Sequence, residues 1–440
     1  ILSMASIIAH SARRLWRTES RFILLRYAGA GLGAAKALIF AHMLDVSAFG
    51  VLALVLQTAA LLEASSLGGI TGLLHRYFND PAAGEESFAR FIPACGAWLA
   101  AVAVLALALG NLWDVLFWSG LLFALGIGFV LLEPPLRVRG RLGLIALPPI
   151  LVNMLSIALV PAAVWIMPAP PLWVVLLAVV MAQFGGQFAF LVLALRRERI
   201  PVEAAGRGPL KLWRDYLGHV RDGFPLFLGS MAYMLLAYVD RFFIATFHPA
   251  QDLGVHALAT QFGLIAIIGL QGWSYIASVR IGNAIKQEAD VAADVAAVVG
   301  HALRIAGLFA AAAVAGILAL AWVLEATLFA RYAGLFAAVA LGVPGIAAYN
   351  AVSAAAALLY YRRRQKTLHR ALLAVLAANA AIDLALSLAG ASYLWIIACT
   401  GGLFLALAAV TAVLVRRCLR EAPQPPAGGA PLAAGAGRAV

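Results

Sequence analysis

Apolar runs of about 20 residues, separated by short polar or basic gaps, recur along the whole chain. A helix of that length crosses ~30 Å of hydrocarbon, so each run predicts one membrane span. The windows fall at residues 22–44, 49–73, 91–110, 113–133, 144–166, 172–195, 223–246, 253–278, 302–324, 334–359, 371–389 and 394–415. The pattern predicts an all-α polytopic membrane protein of about twelve transmembrane helices. Pro148, Pro149 and Pro161 in the fifth window and Pro344 in the tenth remove backbone donors, so kinks supported by neighbouring helices are expected there.

Composition agrees with the pattern. Hydrophobic residues make up 64% of the 440 and charged residues 12%, against about 45–50% and 25% in soluble domains. That balance excludes soluble enzymes, nucleic-acid binders and disulfide scaffolds. Cys95, Cys399 and Cys418 form no CxxC pair and read as packing residues or a free thiol. The net charge of +12 is informative through its distribution, because translocated short loops avoid Lys and Arg. Of the 32 basic residues, all but Lys36, Arg241 and Arg331 fall at the termini or in even-numbered gaps, which predicts a cytoplasmic location for those gaps and for both termini. Cysteines at Ala48, Ala169 and Ser392 are then expected to be reachable from outside, and one at Arg364 from inside. The first 21 residues are too polar and basic for the apolar core of a cleavable signal.

Five segments are expected: a cytoplasmic N-terminal segment 1–21, an N-lobe 22–195, a cytoplasmic amphipathic linker 196–222, a C-lobe 223–415 and a disordered cytoplasmic tail 416–440, rich in Pro, Gly and Ala. In the linker, Leu210, Trp213, Leu217 and Val220 recur at helical spacing opposite Lys211, Arg214, Asp215, His219 and Arg221, which suits a helix in the membrane interface. A shift of 204 residues superposes the halves. It brings Gly50 onto Gly254, Arg76 onto Arg280 and Lys36 onto Asp240. Because each half has six spans, the copies are parallel six-helix bundles, related by an axis along the membrane normal and facing each other across a central cleft.

Ionisable residues inside spans cost at least ~2.5–3.5 kcal/mol each unless partnered or hydrated. Lys36, Asp240 and Arg241 lie at similar depth in the first and seventh spans and are read as lining the cleft, with Lys36 and Asp240 approaching each other when its outer side closes. Glu63 and Asp383 are candidate ion-coupling carboxylates. Arg76, Arg90, Arg280 and Arg304, at cytoplasmic helix ends, are candidates for an inner entrance that collects an anionic headgroup. No nucleophile elbow, HExxH, P-loop or metal-ligand spacing appears, so no catalytic residue, metal or cofactor is expected.

The run KALIFAHMLDVSAFGVLALVLQTAALLEASSLGGITGLLHRYF resembles the first two spans of bacterial oligosaccharide flippases of the Wzx type, the polysaccharide-transporter branch of the multidrug/oligosaccharidyl-lipid/polysaccharide exporter superfamily. FPLFLGSMAYMLLAYVDRFFIATFHPAQDLGVHALATQF resembles the start of their second half, with Asp240 at the position of an acidic residue before a basic one. ALLAVLAANAAIDLALSLAG resembles their eleventh span, with Asp383 where Asn is more usual. The resemblance implies a cation-rich central cavity and alternating access. It also implies an undecaprenyl-diphosphate-linked oligosaccharide carried from the inner to the outer leaflet of the cytoplasmic membrane, for O-antigen, capsule or exopolysaccharide. Membrane lipids and other polysaccharide-assembly proteins would be its partners. Only two deep cations, Lys36 and Arg241, argue against strong selection for a highly acidic glycan. The rival functions are an ion-coupled multidrug exporter of the same superfamily and a polytopic polymerase or ligase, the latter disfavoured by short external gaps.

Overall fold

The computed structural model describes residues 4–70, 73, 81–139, 141–198, 209–286, 292–362 and 364–420. Twelve long helices account for these: α1 (Met4–Met43), α2 (Val46–Ala64), α3 (Pro81–Leu109), α4 (Asp114–Val138), α5 (Leu142–Ile166), α6 (Leu172–Arg197), α7 (Pro209–Phe247), α8 (Ala250–Lys286), α9 (Ala292–Ala326), α10 (Leu335–Tyr361), α11 (Gln365–Leu388) and α12 (Tyr393–Arg420). Each contains a stretch long and apolar enough to span a membrane, and no strand occurs among the described residues. The tail beyond Arg420 lies outside the described residues.

Hydropathy places the spans, but the helices overrun them. α1 starts at Met4 instead of near residue 22, and the linker helix is continuous with the seventh span in a single helix of 39 residues. Hydropathy marks where the bilayer ends, whereas a helix ends only where backbone hydrogen bonding stops, and a polar segment of good helix formers continues it. α5 and α10 likewise run unbroken past Pro148, Pro149, Pro161 and Pro344.

Packing follows the repeat. α1 lies on α5, α2 on α4, α3 on α4, α4 on α6 and α5 on α6; the same pattern returns as α7 on α11, α8 on α10, α9 on α10, α10 on α12 and α11 on α12. The two bundles meet chiefly along α2 and α8, with α1 also against α8. Short turns such as α1–α2, α7–α8 and α9–α10 share one face, the turn face; the linker and both chain ends of the bundle share the other, the linker face. One buried apolar cluster unites the bundles toward the turn face, with Phe40, Leu44, Val46 and Phe49 packed among Ile244, Leu253, Val255 and Tyr332. Toward the linker face the clusters separate, one around Phe91, Leu99 and Tyr216 and another around Leu236, Leu358 and Phe404. The apolar core is continuous across the lobes at the turn face and splits into separate clusters toward the linker face, where Tyr27 of α1 still lies against Gly272 of α8.

Gly50 and Gly254 form a backbone-to-backbone crossing between the lobes. A Cβ on Gly50 would sit 2.6 Å from the Gly254 nitrogen, and one on Gly254 would sit 2.0 Å from the Val46 carbonyl oxygen. Glycine at both repeat-related positions lets two backbones touch on the axis. The linker half of α7 is in turn fastened to the N-lobe. Tyr216 is 1% exposed, stacks on Trp98 with ring centroids 5.4 Å apart and donates to the Ser65 carbonyl at 3.2 Å. Burial pushes the Tyr216 phenol above its ordinary range, so it remains a neutral donor.

Candidate functional site

Below the Gly50/Gly254 crossing, a cavity of about 350 Å³ opens between α1 and α2 on one side and α7 and α8 on the other. Its upper wall is Phe40, Phe49 and Leu52, and its polar groups are Lys36, Gln57, Tyr238, Arg241 and Gln261. No carboxylate belongs to its lining, so the cavity is positive. Arg241 is 2% exposed; its Nε and one terminal nitrogen have no hydrogen-bond partner among the described residues, and its guanidinium sits 5.6 Å from the centroid of the Tyr238 ring. A buried cation beside a ring face, with unpaired N–H groups, retains donors for an anion, although the charge of the adjacent Asp240 also acts on it. Gln57 donates to the Tyr238 carbonyl at 3.3 Å across the lobe boundary while its Oε1 stays unpaired.

Asp240 is not in this cavity, contrary to the expectation that it would face Lys36 across the cleft. Adjacent helical residues differ by about 100° in direction, so seating Arg241 in the cavity turns Asp240 into the C-lobe. There Asp240 lines a separate small pocket, 4% exposed, with His256 Nε2 3.7 Å away and Asn379 Nδ2 donating at 3.4 Å. Asn379 in turn accepts from the Thr400 hydroxyl at 2.9 Å. Asp383, one turn beyond Asn379 on α11, is fully buried, feels the charge of Asp240, and neither of its oxygens has a hydrogen-bond partner among the described residues. Two buried carboxylates with a neutral-capable imidazole, an amide and a hydroxyl make an acidic nest inside the lobe, separate from the cationic cavity.

The other candidates are dispersed. Glu63 is exposed on α2 and feels the charge of Glu133 of α4. Arg90, Arg280 and Arg304 are exposed on three different helices; Arg280 lies over the Trp273 ring at 5.8 Å and Arg304 bonds the Gly300 carbonyl at 3.4 Å. Arg76 lies outside the described residues. Two cavity residues that span-by-span reading overlooks, Gln57 and Gln261, are themselves related by the 204-residue shift; identical polar residues at equivalent depth were the available signal.

A family model described as polysaccharide biosynthesis protein matches residues 141–278, from α5 through most of α8. Comparison with curated protein sequences gives no match. Among solved structures, the lipid II flippase MurJ in an inward closed conformation superposes with a TM-score of 0.68 at 10% identity, covering 90% of this chain and 88% of that one. An outward-facing multidrug resistance MATE family transporter of the MOP superfamily gives 0.64 at 14% identity, covering 91% and 95%. The Vibrio cholerae MATE transporter VcmN gives 0.60 at 13%, covering 94% and 98%. The fold is therefore the two-lobed fold of MATE and MurJ transporters, and the matched segment carries Asp240, Arg241, His256 and Gln261.

Proposed function

We propose that this transporter-fold protein is a flippase for an undecaprenyl-diphosphate-linked oligosaccharide, moving it from the inner to the outer leaflet of the bacterial cytoplasmic membrane for surface polysaccharide assembly. In this reading the linker face, with its excess of Lys and Arg, is cytoplasmic. The observation that carries the proposal is the positive cavity between the lobes, where Arg241 and Lys36 meet no acidic residue in the lining. A diphosphate is the group whose passage through hydrocarbon is most strongly opposed, and the free donors of Arg241 match its oxygens. About 350 Å³ suits the diphosphate end and little more, at the low end for drug-sized ligands, so room for the glycan would come from the lobes parting on the linker face, where Tyr27 of α1 lies against Gly272 of α8. The lipid tail would stay in the bilayer.

Transport then needs an energy source, for which the acidic nest is suited. Asp383, buried without hydrogen bonds beside Asp240, is stable only when a proton or small monovalent cation neutralises the pair. Binding there would bias how α7 and α11 pack, and α7 also carries Arg241 into the cavity, so ion and headgroup sites share one helix. A drug exporter would instead need a carboxylate facing the substrate, and here the carboxylates point away from the cavity.

The test is accumulation of unflipped lipid-linked glycan in cells at equal protein abundance. Arg241→Ala and Lys36→Ala should each cut flux at least tenfold, Lys36→Arg should keep most of it, and Lys36→Glu should be worse than Lys36→Ala. Wild-type flux in both alanine variants would remove the electrostatic role and favour the drug-exporter reading.

A further inference from the structure

Arg331 is the one basic residue that the charge pattern leaves on the turn face. It stands in the α9–α10 turn of the C-lobe and reaches across to the N-lobe, where its guanidinium donates to the Ala41 carbonyl at 2.6 Å and also to the His42 carbonyl. Next to it Tyr332, fully buried, donates its hydroxyl to the same Ala41 carbonyl at 2.9 Å. Those two carbonyls belong to the last turn of α1, which lacks intrahelical donors and carries the negative end of the helix dipole. A cation and a phenol from one lobe thus terminate the first helix of the other.

The turn that presents them is itself braced. Glu325 accepts from the Gly334 N–H at 2.9 Å and the Phe336 N–H at 2.5 Å, fixing the start of α10, and Gly334 takes a φ of +89° that a side chain would strain. The Tyr332 ring lies edge-on to Phe49, 6.2 Å between centroids, and Phe49 forms part of the upper wall of the cavity. The equivalent turn of the N-lobe, α3–α4, makes the reciprocal reach: Trp113 packs edge-on against Phe242 near the end of α7, at 6.4 Å. Each lobe therefore clasps the last turns of the other's first helix, once with polar groups and once with rings.

We propose that Arg331 and Tyr332 form a latch that holds the turn face shut and must release for the cavity to open there, with Phe49 as the link between cavity occupancy and the latch. The proposal rests on the alternating-access reading above. Outward opening separates α1 from the C-lobe, so both carbonyls lose their donors at that step, and the latch sets the ratio of closed to open forms without touching substrate.

The experiment places nitroxide labels on Ala169 and Ser392, exposed turn-face sites in opposite lobes, in full-length protein in lipid vesicles with the native cysteines replaced. The distance distribution is measured by pulsed electron resonance. Wild type should show a dominant short and a minor long population. Arg331→Gln should raise the long-to-short ratio roughly tenfold, the factor that corresponds to ~1.4 kcal/mol. Tyr332→Phe, which keeps the ring and loses only the hydroxyl, should raise it less, and Arg331→Lys should fall nearer wild type. Two wild-type populations left unchanged by Arg331→Gln and Tyr332→Phe, or shifted toward the short one, would overturn the latch while alternating access stands. A single short distance in wild type and both variants would overturn alternating access and the latch together.

Discussion

At residue scale, the strongest constraint is that neighbouring side chains on α7 serve opposite charges. Arg241 is directed into a cavity whose lining has no carboxylate, and Asp240 into a pocket whose lining has no Lys or Arg, though the charge of Arg241 still reaches Asp240 and His256. Neutralising Asp383 should therefore act differently from neutralising Arg241. Asp383→Asn keeps the volume and removes the need for a counter-ion; we expect near-normal abundance, loss of the dependence of flux on proton or sodium gradient, and lower transport. The check is flux in vesicles with each gradient imposed in turn, and an undiminished gradient response in Asp383→Asn would remove it from coupling. Gly254→Ala is the packing counterpart. Its Cβ would meet the backbone oxygen of Val46, which cannot rotate away, so a loss of about 1–3 kcal/mol and a lower unfolding midpoint in detergent are expected. The depth of Lys36 and Arg241 was legible in the sequence because charge within an apolar run is rare. The direction of Asp240 was not, since a 100° step decides it and depth says nothing about azimuth.

At the scale of elements, helix ends do the positioning. Asp45 caps α2, its carboxylate accepting from the Ser47 N–H at 3.0 Å. Hydrogen bonds from Ser47, foremost its side chain, hold the Asp45 carboxyl below the usual range. The folded pKa is depressed, so the cap contributes fully above the unfolded value near ~3.9 and is lost as pH falls through the lower folded value. Asp45→Ala should accordingly cost about 1 kcal/mol at pH 7, and the gap between variant and wild type should close below about pH 4. Thermal unfolding at both pH values measures it, and a gap independent of pH would assign the effect to something other than the carboxylate. The existence and order of the twelve helices could be read from hydropathy alone, because burying backbone in hydrocarbon leaves few other choices. The fusion of the linker into α7 could not. Nothing in a hydropathy window separates a helix that stops at the interface from one that runs on through it, and the Tyr216 clamp on Trp98 depends on contacts about 120 residues apart in sequence.

At the scale of the molecule, the arrangement is one lobe made twice and joined at one end. The orientation proposed for it has a direct check: in intact cells, cysteines at Ala169 and Ser392 should react with impermeant thiol reagents and one at Arg364 should stay silent, with the reverse result inverting the assignment of faces. The repeat could be detected in sequence through Gly50 and Gly254, yet its use could not. Most packing partners follow the 204-residue shift, with α8 against α9 the main exception, whereas the charged residues depart from it: Arg241 occupies the place of Ala37, and Lys36 the place of Asp240.

That departure gives the glycine crossing a second meaning. On a two-fold axis a residue faces its own counterpart, as Gly50 faces Gly254, and in a dimer of identical subunits every substitution near the axis would be made on both sides at once. A lysine would confront a lysine and an aspartate an aspartate, so a single subunit type could not build a cationic cavity on the axis together with an acidic nest in only one lobe. Joining the two copies in one polypeptide ends that obligation while the glycines keep the original geometry of approach. The inheritance is symmetric in backbone and asymmetric in charge, which is what a carrier needs if its cargo site spans both halves while its driving ion is held in one.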